Sequence, residues 1–104
     1  MTDREMLELA AKAARIDVLW HQAWNQFVFK TTYQKWNPRT DDGDALRLAV
    51  TLYFTVQVDE EDAKTYVVSD GGLCVAIESH TTDPLVATRL AITRAAAEIG
   101  RNMK

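Results

Sequence analysis

Cysteines and long apolar runs are nearly absent from this sequence, and each absence excludes a class of protein. Cys74 is the only cysteine, so no disulfide can form within the chain, and a lone thiol is typical of a cytoplasmic protein. No apolar run approaches the roughly 20 residues of a membrane-spanning helix, and the polar segment 1–5 differs from a secretory signal. We therefore expect a cytoplasmic protein with no membrane contact.

Positive charge is also scarce. Lys and Arg number 12 against 15 Asp and Glu, which leaves a net charge of −3, and no dense basic cluster occurs in the sequence. Proteins that bind nucleic acid neutralise its phosphates with Lys and Arg. The composition therefore does not indicate a nucleic-acid partner.

What the sequence does contain is an even distribution of apolar residues. They make up 47% of the 104 residues, and no linker or repeat interrupts them. A single domain is therefore predicted over residues 1–104. In three segments the apolar residues recur at the spacing of one helix face, which predicts helices over 3–14, 41–53 and 83–100.

Capping residues predict where these helices begin and end. Thr2 forms a capping box with the first helix. Thr40 stands directly before acidic residues that suit a helix N-terminus, which predicts Thr40 as the N-cap of the second helix. Gly100 is the predicted C-cap of the third helix. The apolar stripes that should face the core include Leu46 in the second helix and Leu85 in the third.

Runs of β-branched and aromatic residues between the helices predict five strands. Their short links indicate hairpins and a mostly antiparallel sheet, and no βαβ alternation with a glycine-rich loop occurs. The order α-β-β-α-β-β-β-α predicts an α/β (α+β) fold, a small sandwich of the α/β/α type. The predicted strands cover 16–20, 27–32, 54–58, 65–68 and 73–78.

One segment carries a resemblance to a known family. Residues 36–49, with the sequence WNPRTDDGDALRLA, join a rare tryptophan to a turn and a helix start, and they resemble the signature of the phage ABA sandwich domain family. Residues 3–14, 83–89 and 94–100 are similar to the opening and the ending of that family. The resemblance implies a small phage or prophage protein in the cytoplasm of a bacterial host, with an α/β/α layered fold. It implies no particular chemistry.

Every residue of this segment also has a structural interpretation. Trp36 is expected to pack against the second helix, and Asn37 to bond nearby backbone in the turn. Negative charge is favourable in the first turn of a helix, which explains the acids there without a metal ion. The spacing does not match an EF-hand, so no metal and no cofactor are predicted. The residues assigned to this helix start are Thr40, Asp41, Asp42 and Asp44.

No catalytic residue is predicted. His21 and His80 lie at strand ends with no other ligand at zinc spacing, and Cys74 lies in an apolar run that suits a buried thiol better than a nucleophile. A non-enzymatic binding module is the first interpretation. A small enzyme acting on a nucleotide or peptide, and a nucleic-acid-binding regulator, are its alternatives.

Aromatic residues are dense between positions 20 and 36. One face of a short hairpin cannot hide so many rings, so some of them are expected at an interface unless the first helix covers them. A homodimer is the simplest expectation, and a host protein, a phage protein or a small messenger molecule are further partners. The candidate binding residues are Trp20, Trp24, Trp36 and Asn37.

Overall fold

The predicted order of helices and strands is present in the computed structural model, which describes residues 1–72, 74–81 and 83–103. The fold is α+β, as predicted, and no helix in the described residues is long and apolar enough to cross a membrane. The predicted strand start at Leu73 and the predicted burial of the Cys74 side chain lie outside the described part. The helices are α1 (Asp3–Ala14), α2 (Asp42–Thr51) and α3 (Pro84–Arg101), and the strands are β1 (Val18–His21), β2 (Gln26–Phe29), β3 (Thr55–Asp59), β4 (Lys64–Val68) and β5 (Cys74–Ser79).

The strands divide into two antiparallel sheets, a β1–β2 hairpin and a sheet of order β3-β4-β5. In the hairpin, Trp20 lies opposite Phe27. Residues 34–36 then return along β2, because the Trp36 N–H donates to the Phe27 carbonyl at 3.1 Å. The predicted extension of the second strand to residue 32 is wrong. The chain turns instead at Tyr33, which has a left-handed φ of 59° and donates its N–H to the Phe29 carbonyl.

Helix α3 is the central element, since it contacts α1, α2 and all three strands of the β3–β5 sheet. Its closest neighbour is α1, which runs beside it in the same direction: Leu9 lies against Gly100, and Lys12 Nζ donates to the Met103 carbonyl at 3.1 Å. Small residues line the contact and permit the close approach. The buried alanines of the two helices are Ala10, Ala11, Ala13, Ala87, Ala91, Ala95, Ala96 and Ala97.

Gly100 is not a C-cap. Helix α3 continues through Arg101 and has Asn102 at its C-cap, so that prediction is wrong. A Cβ at position 100 would lie only 1.9 Å from the Leu9 carbonyl oxygen. The glycine is therefore required by the backbone of the neighbouring helix, and a pattern read along one segment cannot reveal that requirement.

Helix α2 begins one residue later than predicted, with Asp41 rather than Thr40 as its N-cap. The Asp41 carboxylate accepts from the Asp44 N–H at 2.8 Å. The Thr40 and Asp41 N–H groups both donate to the Asn37 carbonyl, so residues 37–41 form a turn before the helix. The Thr40 hydroxyl donates to the Asn37 carbonyl at 3.5 Å and so does not cap a helix N–H. The prediction of Thr40 as the N-cap is wrong.

Helices α1 and α2 end in the same way. Arg15 and Tyr53 adopt left-handed φ values of 56° and 57°. The following residues, Ile16 and Phe54, donate their N–H groups to carbonyls five residues back, at 2.9 Å each. Both ends are Schellman motifs, in which glycine is the usual left-handed residue.

Two of the predicted buried stripes are too wide. Leu46 and Leu85 are exposed, although the sequence pattern placed both toward the core. Helix α2 buries only a narrow face, formed by Ala45, Leu48 and Ala49 beside the buried Asp44 of its first turn. The periodicity of apolar residues predicts which side of a helix faces the core. How many residues on that side are buried depends on the elements that pack against the helix.

We expect Gly100→Ala to lower the free energy of unfolding by about 3 kcal/mol, because the new methyl group overlaps the backbone of α1. Chemical denaturation measures the change. Gly43→Ala is the matched control: its nearest contacts are side-chain atoms of Arg47 and Asp41 at 3.1 and 3.2 Å, and its effect should stay within about 1 kcal/mol. Equal effects at the two positions would contradict the close approach of α1 and α3.

A second pair of variants tests the start of α2. Asp41→Ala should cost about 1 kcal/mol, the usual price of losing an N-cap, while Thr40→Ala should cost clearly less. The midpoints of urea unfolding measure both. A larger loss in Thr40→Ala would restore Thr40 as the capping residue.

Candidate binding surface

The turn between β2 and α2 is held from within by its own polar groups. The Asn37 side-chain oxygen accepts from the Arg39 N–H at 2.9 Å, as the sequence predicted for a turn asparagine. Trp36 is almost fully buried, in the same apolar cluster as Ala45 and Leu48 of α2. Trp36 therefore lies in the core and is not available at the surface as a contact residue.

Asp44 connects this turn to α2. Its side chain is only 7% exposed, and Oδ2 accepts from the Asn37 N–H at 2.9 Å. Oδ1 accepts from Arg47 Nη2 at 3.2 Å. A buried carboxylate held by a backbone N–H and a guanidinium is a structural link rather than a free ligand.

Arg89 connects the same turn to α3. Its Nε donates to the Arg39 carbonyl at 2.8 Å, and its Nη1 donates to Asp42 Oδ1 at 2.6 Å. Arg39 in turn forms an ion pair with Asp3 at the start of α1. The turn thus touches all three helices, and Asp42 and Asp44 each have a cationic partner. Within the described residues, no group of three or more His, Cys, Asp or Glu side chains is placed to hold a metal ion.

Trp20 lies on the inner side of the hairpin and is half-buried. Its ring meets Phe27 edge-on, with ring centroids 5.0 Å apart, and the Arg4 guanidinium lies 4.3 Å from its centroid. Leu7 of α1 belongs to the same core cluster as Phe27. Helix α1 therefore contacts the hairpin through Arg4, which covers the Trp20 ring.

Three rings remain on the outer side of the hairpin, and we call His21, Trp24 and Tyr33 the hairpin aromatic cluster. The His21 ring stacks on Trp24, with centroids 4.0 Å apart and planes 17° from parallel. Tyr33 meets His21 edge-on at 6.5 Å, and Lys35 Nζ lies 5.9 Å from the Trp24 centroid. Trp24 and Tyr33 are 52% and 54% exposed.

Hydrogen bonding fixes the stacked pair. The backbone N–H of Trp24 donates to His21 Nδ1 at 3.2 Å. In the neutral imidazole the proton is therefore on Nε2. Trp24 belongs to the turn between β1 and β2. The cluster depends on the spacing of His21 and Trp24 around this turn, a signal that the sequence contains but that only the turn geometry makes visible.

Two polar grooves flank the hairpin, with volumes of about 280 and 390 Å³. Gln26 and Asn37 line both of them. Trp20 and Arg4 line the smaller groove, and Lys35 lines the larger one on the side of α2. Trp20 and Asn37 thus line the same groove. Trp24 lies apart from them and is exposed, whereas Trp36 is buried in the core.

One buried polar cluster was missed by sequence reasoning. Thr65 Oγ1 lies 2.7 Å from His80 Nε2 and 2.9 Å from Thr88 Oγ1, which joins β4, the segment after β5, and α3. Thr65 is fully buried. No motif connects these three residues, because they are 15 and 23 positions apart and meet only through packing of the sheet on α3.

Asp44→Asn should lower the free energy of unfolding by about 2 kcal/mol, because hydrogen bonds to a charged acceptor are among the stronger ones and an amide offers only one oxygen. Thermal and urea unfolding measure the loss. Asp70→Asn, in an exposed turn, is the control and should leave the stability unchanged. An equal loss in both variants would show that the effect is not local to the turn.

In comparisons with known proteins, no family model, no curated protein and no solved structure matches the chain.

Proposed function

We propose that this protein is a non-enzymatic binding module whose contact surface is the hairpin aromatic cluster. The observation that carries the proposal is the pair of exposed rings, Trp24 and Tyr33, on a hairpin whose other aromatics face the core. Tryptophan and tyrosine are enriched in the energetically dominant parts of protein interfaces. Exposed rings in a small domain therefore support a role in binding.

Preorganisation of the cluster supports the same role. His21 is held against Trp24 by stacking and by the Trp24 N–H before any partner arrives. Side chains that are already ordered lose less conformational entropy when they bind. Lys35 beside Trp24 adds positive charge at the rim, which favours a protein partner with an acidic border around an apolar centre.

The enzyme alternative has one contact in its favour. Thr65 and His80 are within hydrogen-bond distance, as a nucleophile and its general base would be. The full burial of Thr65 and its second bond to Thr88 keep its hydroxyl from a substrate, so the contact supports a structural role instead.

A nucleic-acid-binding regulator would need a continuous positive face, for which the arginines of α3 are the candidates. Each of them faces a carboxylate: Arg89 pairs with Asp42, Arg94 with Glu78 and Arg101 with Glu98. Neutralised arginines favour a protein partner over nucleic acid. The resemblance of residues 36–49 to the phage family supports a host or phage protein as that partner, and a host-modulating or counter-defence role.

The proposal predicts which substitutions remove binding. Trp24→Ser combined with Tyr33→Ser should abolish the capture of a partner from lysate of infected bacteria, because the hairpin aromatic cluster is lost. Quantitative mass spectrometry of affinity-purified complexes measures the enrichment. Ile77→Ser, which removes an exposed apolar side chain from β5, is the control and should retain the partner.

Two outcomes would contradict the proposal. One is a partner that is captured equally by the double variant and the wild type, because its contact surface would then lie elsewhere. The other is turnover of a nucleotide or peptide that is lost in His80→Ala, because the enzyme alternative would then be correct.

A further inference from the structure

Strand β5 is an edge of the β3–β5 sheet. It pairs with β4 on one side, and no strand among the described residues pairs with its other side. The end of the ladder gives the direction of its backbone groups. The His80 N–H donates to the Ala63 carbonyl at 2.8 Å, and bonding residues alternate along antiparallel strands. Glu78 therefore faces β4 with its backbone groups, whereas the N–H and carbonyl of Ile77 face the open side.

A groove of about 500 Å³ follows this open side of β5. Four consecutive strand residues, 75–78, line it, and all of them are at least partly exposed. Successive side chains of a strand point to opposite faces of the sheet, so a cavity on one face would be lined by every second residue. The unbroken run therefore places the groove along the edge of the strand, where the backbone groups of Ile77 can be reached.

Helix α3 forms the opposite wall of the groove. It contributes Arg94, Ala97 and Glu98, which have the spacing of one helix face. Met6 of α1 also lines the groove, and Met6 and Ala97 are only 7% and 1% exposed, so they form an apolar floor. Extended peptides that add a strand to a sheet edge gain affinity from main-chain hydrogen bonds and specificity from pockets for alternate side chains. The β5 edge and this floor supply both.

The charged side chains of the groove neutralise one another. Arg94 Nη1 donates to Glu78 Oε2 at 2.7 Å, and Glu98 pairs with Arg101 at 3.3 Å. Each charge already has a partner of opposite sign, so a charged ligand would have to compete with an existing ion pair. Charge complementarity therefore favours an uncharged ligand, whose binding should depend little on salt.

We propose that β5 binds an extended, uncharged segment of a partner protein, which joins the sheet as an additional antiparallel strand. One residue of the segment exchanges two hydrogen bonds with the N–H and carbonyl of Ile77, as bonded residues of antiparallel strands do. Its neighbours in the segment point to the opposite face, toward Met6 and Ala97, where apolar side chains fit. This contact lies apart from the hairpin aromatic cluster and goes beyond the function proposed for that cluster.

Two comparisons favour a segment at β5 over other arrangements. The other edge strand, β3, runs into the acidic turn 59–62, and charged residues at a sheet edge oppose strand addition. A second copy of this chain would bring its own α3, with the charges of that helix, alongside its β5 strand. A segment of a partner protein brings only a strand.

A labelled synthetic peptide of alternating valine and threonine tests the proposal by fluorescence anisotropy. The peptide should bind saturably, with its valines on the apolar floor and its threonines opposite Ile77. N-methylation of the threonines removes the N–H groups that face β5 and should weaken binding at least about tenfold. N-methylation of the valines alters N–H groups that face away from β5, so that peptide is the matched control and should still bind.

A pair of proline variants tests the same edge from the side of the protein. Ile77→Pro removes the outward N–H and should weaken binding about tenfold, and an edge strand tolerates proline where the N–H faces solvent. Val58→Pro is the matched control on β3. Val58 lies opposite Thr65, which is paired on its other side with Glu78, so the Val58 N–H also faces away from β4. Thermal unfolding verifies that both variants fold, and the methylated peptides decide if Ile77→Pro does not.

Three results would overturn the proposal: no binding of the parent peptide, equal binding of both methylated peptides, or equal effects of the two proline variants. A wild-type dimer that only Ile77→Pro dissociates in sedimentation equilibrium would instead make a second copy the ligand of this edge. The Trp24→Ser, Tyr33→Ser double variant should bind the peptide as the wild type does, so this proposal and the function proposed for the hairpin fail independently. The Ile77→Ser control for partner capture keeps both backbone groups of residue 77.

Discussion

The close contact between α1 and α3 is the constraint on which the rest of the structure depends. At Gly100 the two backbones are separated by less than the space that one methyl group needs. Small side chains along both helices make this approach possible. The contact is therefore formed by closely packed backbone and alanine side chains rather than by large side chains. Since α3 also carries α2 and the β3–β5 sheet, a shift of α1 would disturb every layer.

The turn at residues 36–41 then fixes how α2 joins this pair. Trp36 anchors the turn in the core, the Asp44 carboxylate holds its backbone, and Arg89 binds it to α3. The groups belong to three different elements, so the turn acts as a junction. The residue types at positions 36–44 are thus explained by packing and hydrogen bonding within this chain.

Local signals account for what the sequence predicted well. Periodicity and capping residues depend on neighbours within a few positions, so the order of the elements and the cap at Thr2 follow from them. Gly100 and Leu46 were misplaced because packing against other elements decides the role of the first and the exposure of the second. The change of cap from Thr40 to Asp41 has a similar cause. The N–H groups of Thr40 and Asp41 both donate to the Asn37 carbonyl, so both residues belong to the turn that precedes the helix. The position of Trp36 before the second helix predicted its packing against that helix, and its burial confirms this. No comparable signal places Trp24 at the surface, which depends on the path of the chain around the hairpin.

The Thr65 hydroxyl has a consequence for how the sheet is joined to α3. A hydroxyl both donates and accepts, so Thr65 can donate to His80 and accept from Thr88, or do the reverse. Rotation of the two hydroxyl hydrogens, together with transfer of the imidazole proton between Nδ1 and Nε2, exchanges these arrangements while all three heavy atoms stay in place. If the imidazole proton moves from one ring nitrogen to the other, the buried hydroxyl still has two partners. The join between β4 and α3 is therefore indifferent to the tautomer of His80, because either tautomer leaves both hydrogen bonds of Thr65 in place.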